Sequence, residues 1–351
     1  MPGAKHRSLM PVAAARTICC ALVVLAHVNL YTRAGLETWW PGGSWGAPFF
    51  SLAVPTFLVA SGYFTPIASV STSPSFSNAV RRLRHLLPPL AFWSAVLLAL
   101  GYGGPKPDWP TLLDVASGPG HLYFLFVLIQ FVLVGPWLSR ARIGWVFAGA
   151  VTFSALSYVA SDVLLWKQGG DDGVIERFLA KLAVTWSVFL VTGVVLRQRP
   201  ELLERLRRKT IWLIVLVAAF YLAYSWELRV EERWLGYHPR QSLLALGLPF
   251  QWLGSLLLLL VVDGAAGKVS WHWLLTPLAR AARQTYAVYL AHLPAIVVLF
   301  ALANTVGLPT THWVFVPLLA ASAWMLSWML WKLVGSARPL ALRRIVFGGI
   351  A

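Results

Sequence analysis

Ten apolar runs, each close to twenty residues long and separated by short polar breaks, leave this chain few architectures to choose from. They fall at about 11–30, 47–67, 86–103, 120–138, 143–165, 178–196, 210–226, 241–262, 284–303 and 313–334. A helix rises about 1.5 Å per residue, so about twenty apolar residues cross the hydrocarbon core of a bilayer. The expected fold is therefore all-α: a polytopic membrane protein of about ten transmembrane helices. Composition agrees. Charged residues make up 12% of the 351, about half of the roughly 25% found in soluble domains, and the mean hydropathy is +0.68. A chain without that polar skin is disfavoured as a cytosolic enzyme and as a nucleic-acid binder. Nineteen Trp and ten Tyr fit the same picture, because both residues collect at the membrane–water boundary.

The charges sort by side. With the N-terminus placed in the cytoplasm, the inner segments hold Lys5, Arg7, Arg81, Arg82, Arg84, Arg140, Arg142, Arg197, Arg199, Arg205, Arg207, Arg208 and Lys209. Lys268, Arg280, Arg283, Lys332, Arg338, Arg343 and Arg344 join them. The outer segments hold Glu37, Asp108, Asp114, Asp171, Asp172, Glu176, Glu227, Glu231 and Glu232. That is the distribution the positive-inside rule demands, so both termini are expected in the cytoplasm and the net charge of +16 is mainly a topological signal. The expected location is the cytoplasmic (inner) membrane of the cell, crossed many times. The expected organisation is a cytoplasmic tail at 1–10, a single transmembrane domain at 11–334 and a cytoplasmic C-terminal tail at 335–351. Arg16 interrupts the first run and no A-x-A site follows it, which argues against a removable signal peptide. Contact of Arg205, Arg207, Arg208 and Lys209 with anionic membrane lipid is a subsidiary reading.

Cys19 and Cys20 are adjacent within an apolar run and cannot staple distant segments. No Cys/His cluster has zinc spacing, so neither a metal nor a permanently bound cofactor is expected.

The first run carries two ionisable residues, Arg16 and His27. Eleven residues make nearly three helical turns, so both side chains leave one face, roughly 16 Å apart along the axis. Ionisable groups inside a span are costly and are functional candidates by default. Arg16 could instead snorkel to the inner headgroups, and His27 could be an interhelical hydrogen-bonding residue. The pair on one face favours function. No acid sits in the middle of a span, so an anionic ligand is the natural partner for a buried Arg16.

Further polar signals follow along the chain. The second run reads Val54-Pro55-Thr56-Phe57-Leu58-Val59-Ala60-Ser61-Gly62-Tyr63-Phe64; Ser61-Gly62 reads as a close-packing contact in preference to a nucleophile. Arg81, Arg82 and Arg84 follow on the next inner loop, before Leu86-Leu87-Pro88-Pro89, and can anchor topology or cradle phosphate. The fourth run opens with His121-Leu122-Tyr123-Phe124-Leu125, and the ninth contains Tyr289-Leu290-Ala291-His292-Leu293-Pro294.

In order and spacing, these motifs resemble acyltransferase family 3 over residues 11 to about 334. Two positions depart from the family pattern: Leu58 stands where a second Phe is usual, and Tyr123 where Trp is usual. The resemblance implies a ten-helix membrane enzyme that moves acyl groups from acyl-CoA to hydroxyls of sugars, glycolipids, peptidoglycan or macrolides. It implies acyl-CoA (acetyl-CoA in the simplest case) as co-substrate and a sugar-hydroxyl acceptor as partner. It also implies substrate-binding roles for Ser61, Tyr63, Arg81, Arg82, Arg84, His121, Tyr123, Tyr289 and His292.

Attack of a hydroxyl on a thioester needs a base, and an imidazole with an ordinary pKa near 6.5 suits that task. His27 is the candidate general base and Arg16 the group that orients the donor. A secondary transporter or flippase using Arg16 and His27 as an intramembrane relay is the competing reading. Inverted repeats would then be expected, yet the sixth run has Lys181 near one end and no histidine to mirror the first.

Overall fold

The computed structural model describes residues 10–32, 50–64, 76–102, 109–138, 141–167, 178–179, 181–235, 246–266, 268–309, 314–336 and 340–348. Among these residues the secondary structure is helical, without a strand. The helices are α1 (Met10–Thr32), α2 (Ala53–Phe64), α3 (Phe76–Ala99), α4 (Trp109–Ala116), α5 (Tyr123–Leu138), α6 (Ile143–Lys167) and α7 (Ala183–Gln198). They continue as α8 (Pro200–Arg208), α9 (Thr210–Leu235), α10 (Gly247–Ala266), α11 (His272–Ala281), α12 (Thr285–Thr305), α13 (Phe315–Ser336) and α14 (Leu340–Phe347). The tail before Met10 and the acids Glu37, Asp108, Asp171, Asp172 and Glu176 lie outside the described residues.

Each apolar run holds a helix. Among the described residues, seven helical segments are long and apolar enough to cross a membrane, judged by length and composition: Met10–Asn29, Gly120–Leu138, Ile143–Ser161, Thr210–Glu227, Gly247–Ala266, Thr285–Thr305 and Phe315–Ser336. Ala53–Tyr63 and Ala183–Gln198 are apolar but shorter. The run at 86–103 is the second half of α3, whose first half is charged. That helix begins at Phe76, so Arg81, Arg82 and Arg84 stand on a helix and not in the expected inner loop. Arginine and leucine are good helix formers, and the helix continues through Pro88 and Pro89. Pro89 has no N–H to give the His85 carbonyl four residues back; the backbone of Gly348 approaches that carbonyl instead, at φ +64°.

Contacts divide the chain into two compact units. The first comprises Met1–Cys19, Ala47–Ser73 and Trp137–Arg283. In it α2 packs on α7 and α10, α6 on α7, and α9 on α10. The α2–α7 contact is a glycine contact: a Cβ built on Gly62 would lie 2.0 Å from the Leu190 carbonyl oxygen, and one on Gly193 would lie 1.9 Å from that of Val59. This is the close packing that Ser61-Gly62 suggested. Side-chain hydrogen bonds tie the same helices: Thr56 Oγ1 donates to Ser255 (3.1 Å), Tyr158 to Gln251 (2.8 Å) and Trp252 Nε1 to Thr192 (2.9 Å). At the end of α10, Arg207 of α8 donates through Nε to Asp263 at 2.8 Å and bonds to it through a second nitrogen as well. That carboxylate raises the Arg207 pKa above its ordinary value.

The second unit comprises Cys20–Gly46, Pro74–Pro136 and Gln284–Ala351. Here α12 packs on α13, and α3 packs on both α12 and α14. The expected C-terminal tail contains α14, which is docked: Val346 and Phe347 are buried, and Trp93 Nε1 donates to the Val346 carbonyl at 2.9 Å.

Candidate functional site

Three histidines from three distant segments meet in the second unit. His27 lies on α1, His121 just before α5 and His292 on α12. Ring centroids are 4.4 Å apart for His121 and His292, 5.0 Å for His27 and His292, and 5.9 Å for His27 and His121. Tyr289 completes the group at 5.3 Å from His121.

Backbone carbonyls decide where each proton sits, because a carbonyl only accepts. His27 Nδ1 is 2.8 Å from the Val23 carbonyl one turn back. In the neutral ring Nδ1 therefore carries the proton, and the lone pair is on Nε2, which has no hydrogen-bond partner among the described residues. His292 Nδ1 is 2.7 Å from the Tyr289 carbonyl and 3.2 Å from that of Val288, so its lone pair is on Nε2. His121 is turned the other way. Its Nε2 donates to the Leu290 carbonyl at 3.3 Å, leaving the lone pair on Nδ1, which is buried and without a partner among the described residues.

Local sequence explains how His121 reaches this place. Gly118 at φ +88° and Gly120 at φ +52° flank Pro119 and turn the chain into a 3-10 turn, Gly120–Leu122. L side chains rarely adopt such angles, and a Cβ on Gly118 would meet the Leu122 carbonyl at 2.6 Å. Tyr289 Oη then donates to the His121 carbonyl. The Leu290 carbonyl is available because of Pro294, which lies four residues later within α12 and has no N–H to return to it. The Tyr-Leu-x-His-x-Pro motif thus supplies a ring (His292), a hydroxyl that holds the backbone of His121, and a vacated carbonyl that holds its side chain. His292 is fully buried and His121 is 2% exposed, so both orientations are set in a tightly packed place.

The other expected site residues sit elsewhere. Tyr123 is the first residue of α5, directly after the turn that carries His121. Arg81, Arg82 and Arg84 lie on α3 in the same unit as the histidines, with Arg81 and Arg84 exposed and Arg82 half-buried. Burial, and then the neighbouring charge of Arg81, push the Arg82 pKa below its ordinary value. Arg16, Ser61 and Tyr63 belong to the first unit. The Arg16 guanidinium lies over the Phe57 ring at 5.3 Å, and Tyr63 offers its carbonyl to Arg197 at 3.3 Å. Thr17 donates to the Leu278 carbonyl at 2.7 Å, fixing that end of α1 to α11. Of α1, Met10–Thr32, the part that carries Arg16 belongs to the first unit and the part that carries His27 to the second. Among the described residues no group of three or more His, Cys, Asp or Glu is arranged to hold a metal ion.

The three histidines stand out one by one in the sequence, whereas the carbonyls of Val23, Leu290 and Tyr289 that set their tautomers do not. One signal was present: a proline four residues after Leu290.

A family model described as an acyltransferase domain matches residues 12–332, nearly the whole chain. No curated protein and no solved structure matches the chain at a significant level.

Proposed function

This chain belongs to acyltransferase family 3, and we propose that it is a membrane O-acyltransferase that passes an acyl group from acyl-CoA to a hydroxyl of a sugar-containing acceptor. The group transferred is acetyl or another short chain, and the acceptor is a surface glycan or a glycosylated metabolite. The observation that carries the reading is the three-histidine cluster, in which the His27 ring is held by Nδ1 and keeps its Nε2 lone pair for a substrate proton.

His27 Nε2 takes the proton of the acceptor hydroxyl as its oxygen attacks the thioester carbonyl. The tetrahedral intermediate then collapses, the C–S bond breaks, and the CoA thiolate receives the proton from His27. Both steps use the same nitrogen, and no proton is left over. Arg16, on the same helix, orients the donor. Arg81, Arg82 and Arg84 hold its phosphates, a role suited to planar guanidinium groups that pair bidentately with phosphate oxygens. Ser61, Tyr63, His121, Tyr123, Tyr289 and His292 contribute to substrate binding. The enzyme crosses the cell's cytoplasmic membrane ten times with both termini inside, which brings a cytosolic donor and an external acceptor to one protein.

The test is mass spectrometry of envelope glycans and secreted metabolites from cells with and without the gene. An acyl-sized mass difference that depends on the gene, and is lost with His27→Ala, is the expected result. Identical glycan and metabolite profiles would overturn the proposal.

A further inference from the structure

The cluster contains one contact that gives His292 a task distinct from binding substrate. His292 Nε2 stands 3.4 Å from His27 Nδ1. Two carbonyls claim the proton of His292 on its Nδ1, so its Nε2 can only accept. Nδ1 of His27 carries the proton that faces Val23, so it can only donate. The direction of the bond is therefore decided at both ends: the His27 Nδ1–H is shared between the Val23 carbonyl and the His292 lone pair.

We propose that His292 is the positioning residue of the base: its Nε2 accepts from His27 Nδ1–H, fixes the His27 ring in the tautomer whose lone pair is on Nε2, and stabilises the positive charge when that nitrogen takes a proton. The inference rests on the reading of His27 as general base. The bond to Val23 alone leaves the ring attached only to its own helix, one turn away. The bond to His292 ties it to α12, 265 residues further along the chain. A base oriented by a third group is the arrangement that nucleophile-activating sites use in general. Burial sharpens the effect, since a hydrogen bond inside a protein is stronger and a lost one is costlier than in water.

Two substitutions separate this task from mere packing. The Asn side-chain nitrogen matches Nδ1 of histidine, so His292→Asn keeps the bond to the Tyr289 carbonyl but cannot reach His27. Gln extends one bond further and can place an amide oxygen where Nε2 stands, so His292→Gln can still accept from His27 Nδ1–H. The full-length protein, labelled with ¹³C,¹⁵N-histidine and held in phosphatidylcholine nanodiscs, is examined by NMR without any substrate. The expected wild-type spectrum shows His27 as the Nδ1–H tautomer with a correlation across the hydrogen bond to His292 Nε2. In His292→Asn the His27 Nδ1–H resonance moves upfield and the ring samples both tautomers, whereas His292→Gln holds the wild-type tautomer. Transfer from acetyl-CoA, read as free thiol released by the same preparations with envelope glycan extract as acceptor, falls at least about tenfold in kcat in Asn, a loss larger than any rise in KM, and recovers in Gln. A wild-type His27 in the Nε2–H tautomer, or a His292→Asn protein with ordinary turnover, overturns the inference. If wild type shows the His27–His292 correlation but no transfer to any acceptor, the proposed activity fails while the positioning contact stands.

Discussion

Gly62 of α2 and Gly193 of α7 stand so close across their helix contact that a methyl group on either would overlap the other helix's backbone carbonyls. Between apolar helices in lipid there is little hydrophobic drive to associate, so close approach through small residues supplies much of the attraction. Gly62→Ala and Gly193→Ala should each destabilise the protein by at least the ~1–3 kcal/mol typical of overpacking, because the clash is with backbone that cannot rotate away. Gly264→Ala is the control. Apart from its chain neighbours and its own helix backbone, nothing lies within 4 Å of a Cβ there, so that change should be neutral or stabilising by about 0.5–1 kcal/mol. Thermal unfolding in detergent measures all three, and a wild-type Tm for Gly193→Ala would contradict the packing.

His27 is tested by separating shape from proton transfer. General-base contributions are typically about 10²- to 10⁴-fold, so His27→Ala should reduce acyl transfer by at least that order. His27→Gln retains size and hydrogen bonding but cannot cycle a proton, and should fail nearly as badly with its Tm intact. Turnover per mole of folded protein at saturating acyl-CoA decides it: an ordinary rate in His27→Gln would move the base to His121 or His292.

Pro294 makes an unusual prediction, because an activity loss should come without a stability loss. Pro294→Ala gives α12 an N–H that can return to the Leu290 carbonyl, competing with His121 Nε2. The helix gains a backbone bond and helix propensity, so Tm should hold or rise, while acyl transfer should fall about tenfold or more as the His121 ring loses its anchor. A variant that keeps full activity would show that the orientation of His121 is immaterial to the reaction.

Arg16→Lys distinguishes donor contact from charge alone. Lysine keeps the positive charge and snorkels equally well, but lacks the planar fork that matches phosphate or paired carbonyls. KM for acetyl-CoA should rise strongly while expression holds; an unchanged KM would return Arg16 to an interfacial role.

Topology can be read by labelling. Single cysteines replacing Asp172 or Glu231 should react with an impermeant thiol reagent in intact cells, and those replacing Arg82 or Arg207 should not. Reaction at position 207 from outside would reverse the orientation.

The sequence by itself determined the helices and their approximate ends. The run at 143–165 became Ile143–Lys167 and that at 313–334 became Phe315–Ser336, because an apolar stretch of twenty residues is decided by local hydropathy and length. Where polar residues extend a helix the reading fell short, at Arg81, Arg82 and Arg84 on α3 and at Leu340–Phe347. Hydropathy marks membrane depth and not helicity. The motif residues were also legible one at a time. Only the tertiary structure decided that His27, His121 and His292 meet and that His121 turns its Nε2 to the Leu290 carbonyl. Apolar helices look alike to one another along the sequence. Their neighbours are chosen by contacts such as Gly62 with the backbone of α7. The carbonyls of Val23 and Tyr289 lie within four residues of the rings they orient, whereas the Leu290 carbonyl, vacated by Pro294, meets the ring of His121 from 169 positions away, a pairing that only the packing of the helices brings about.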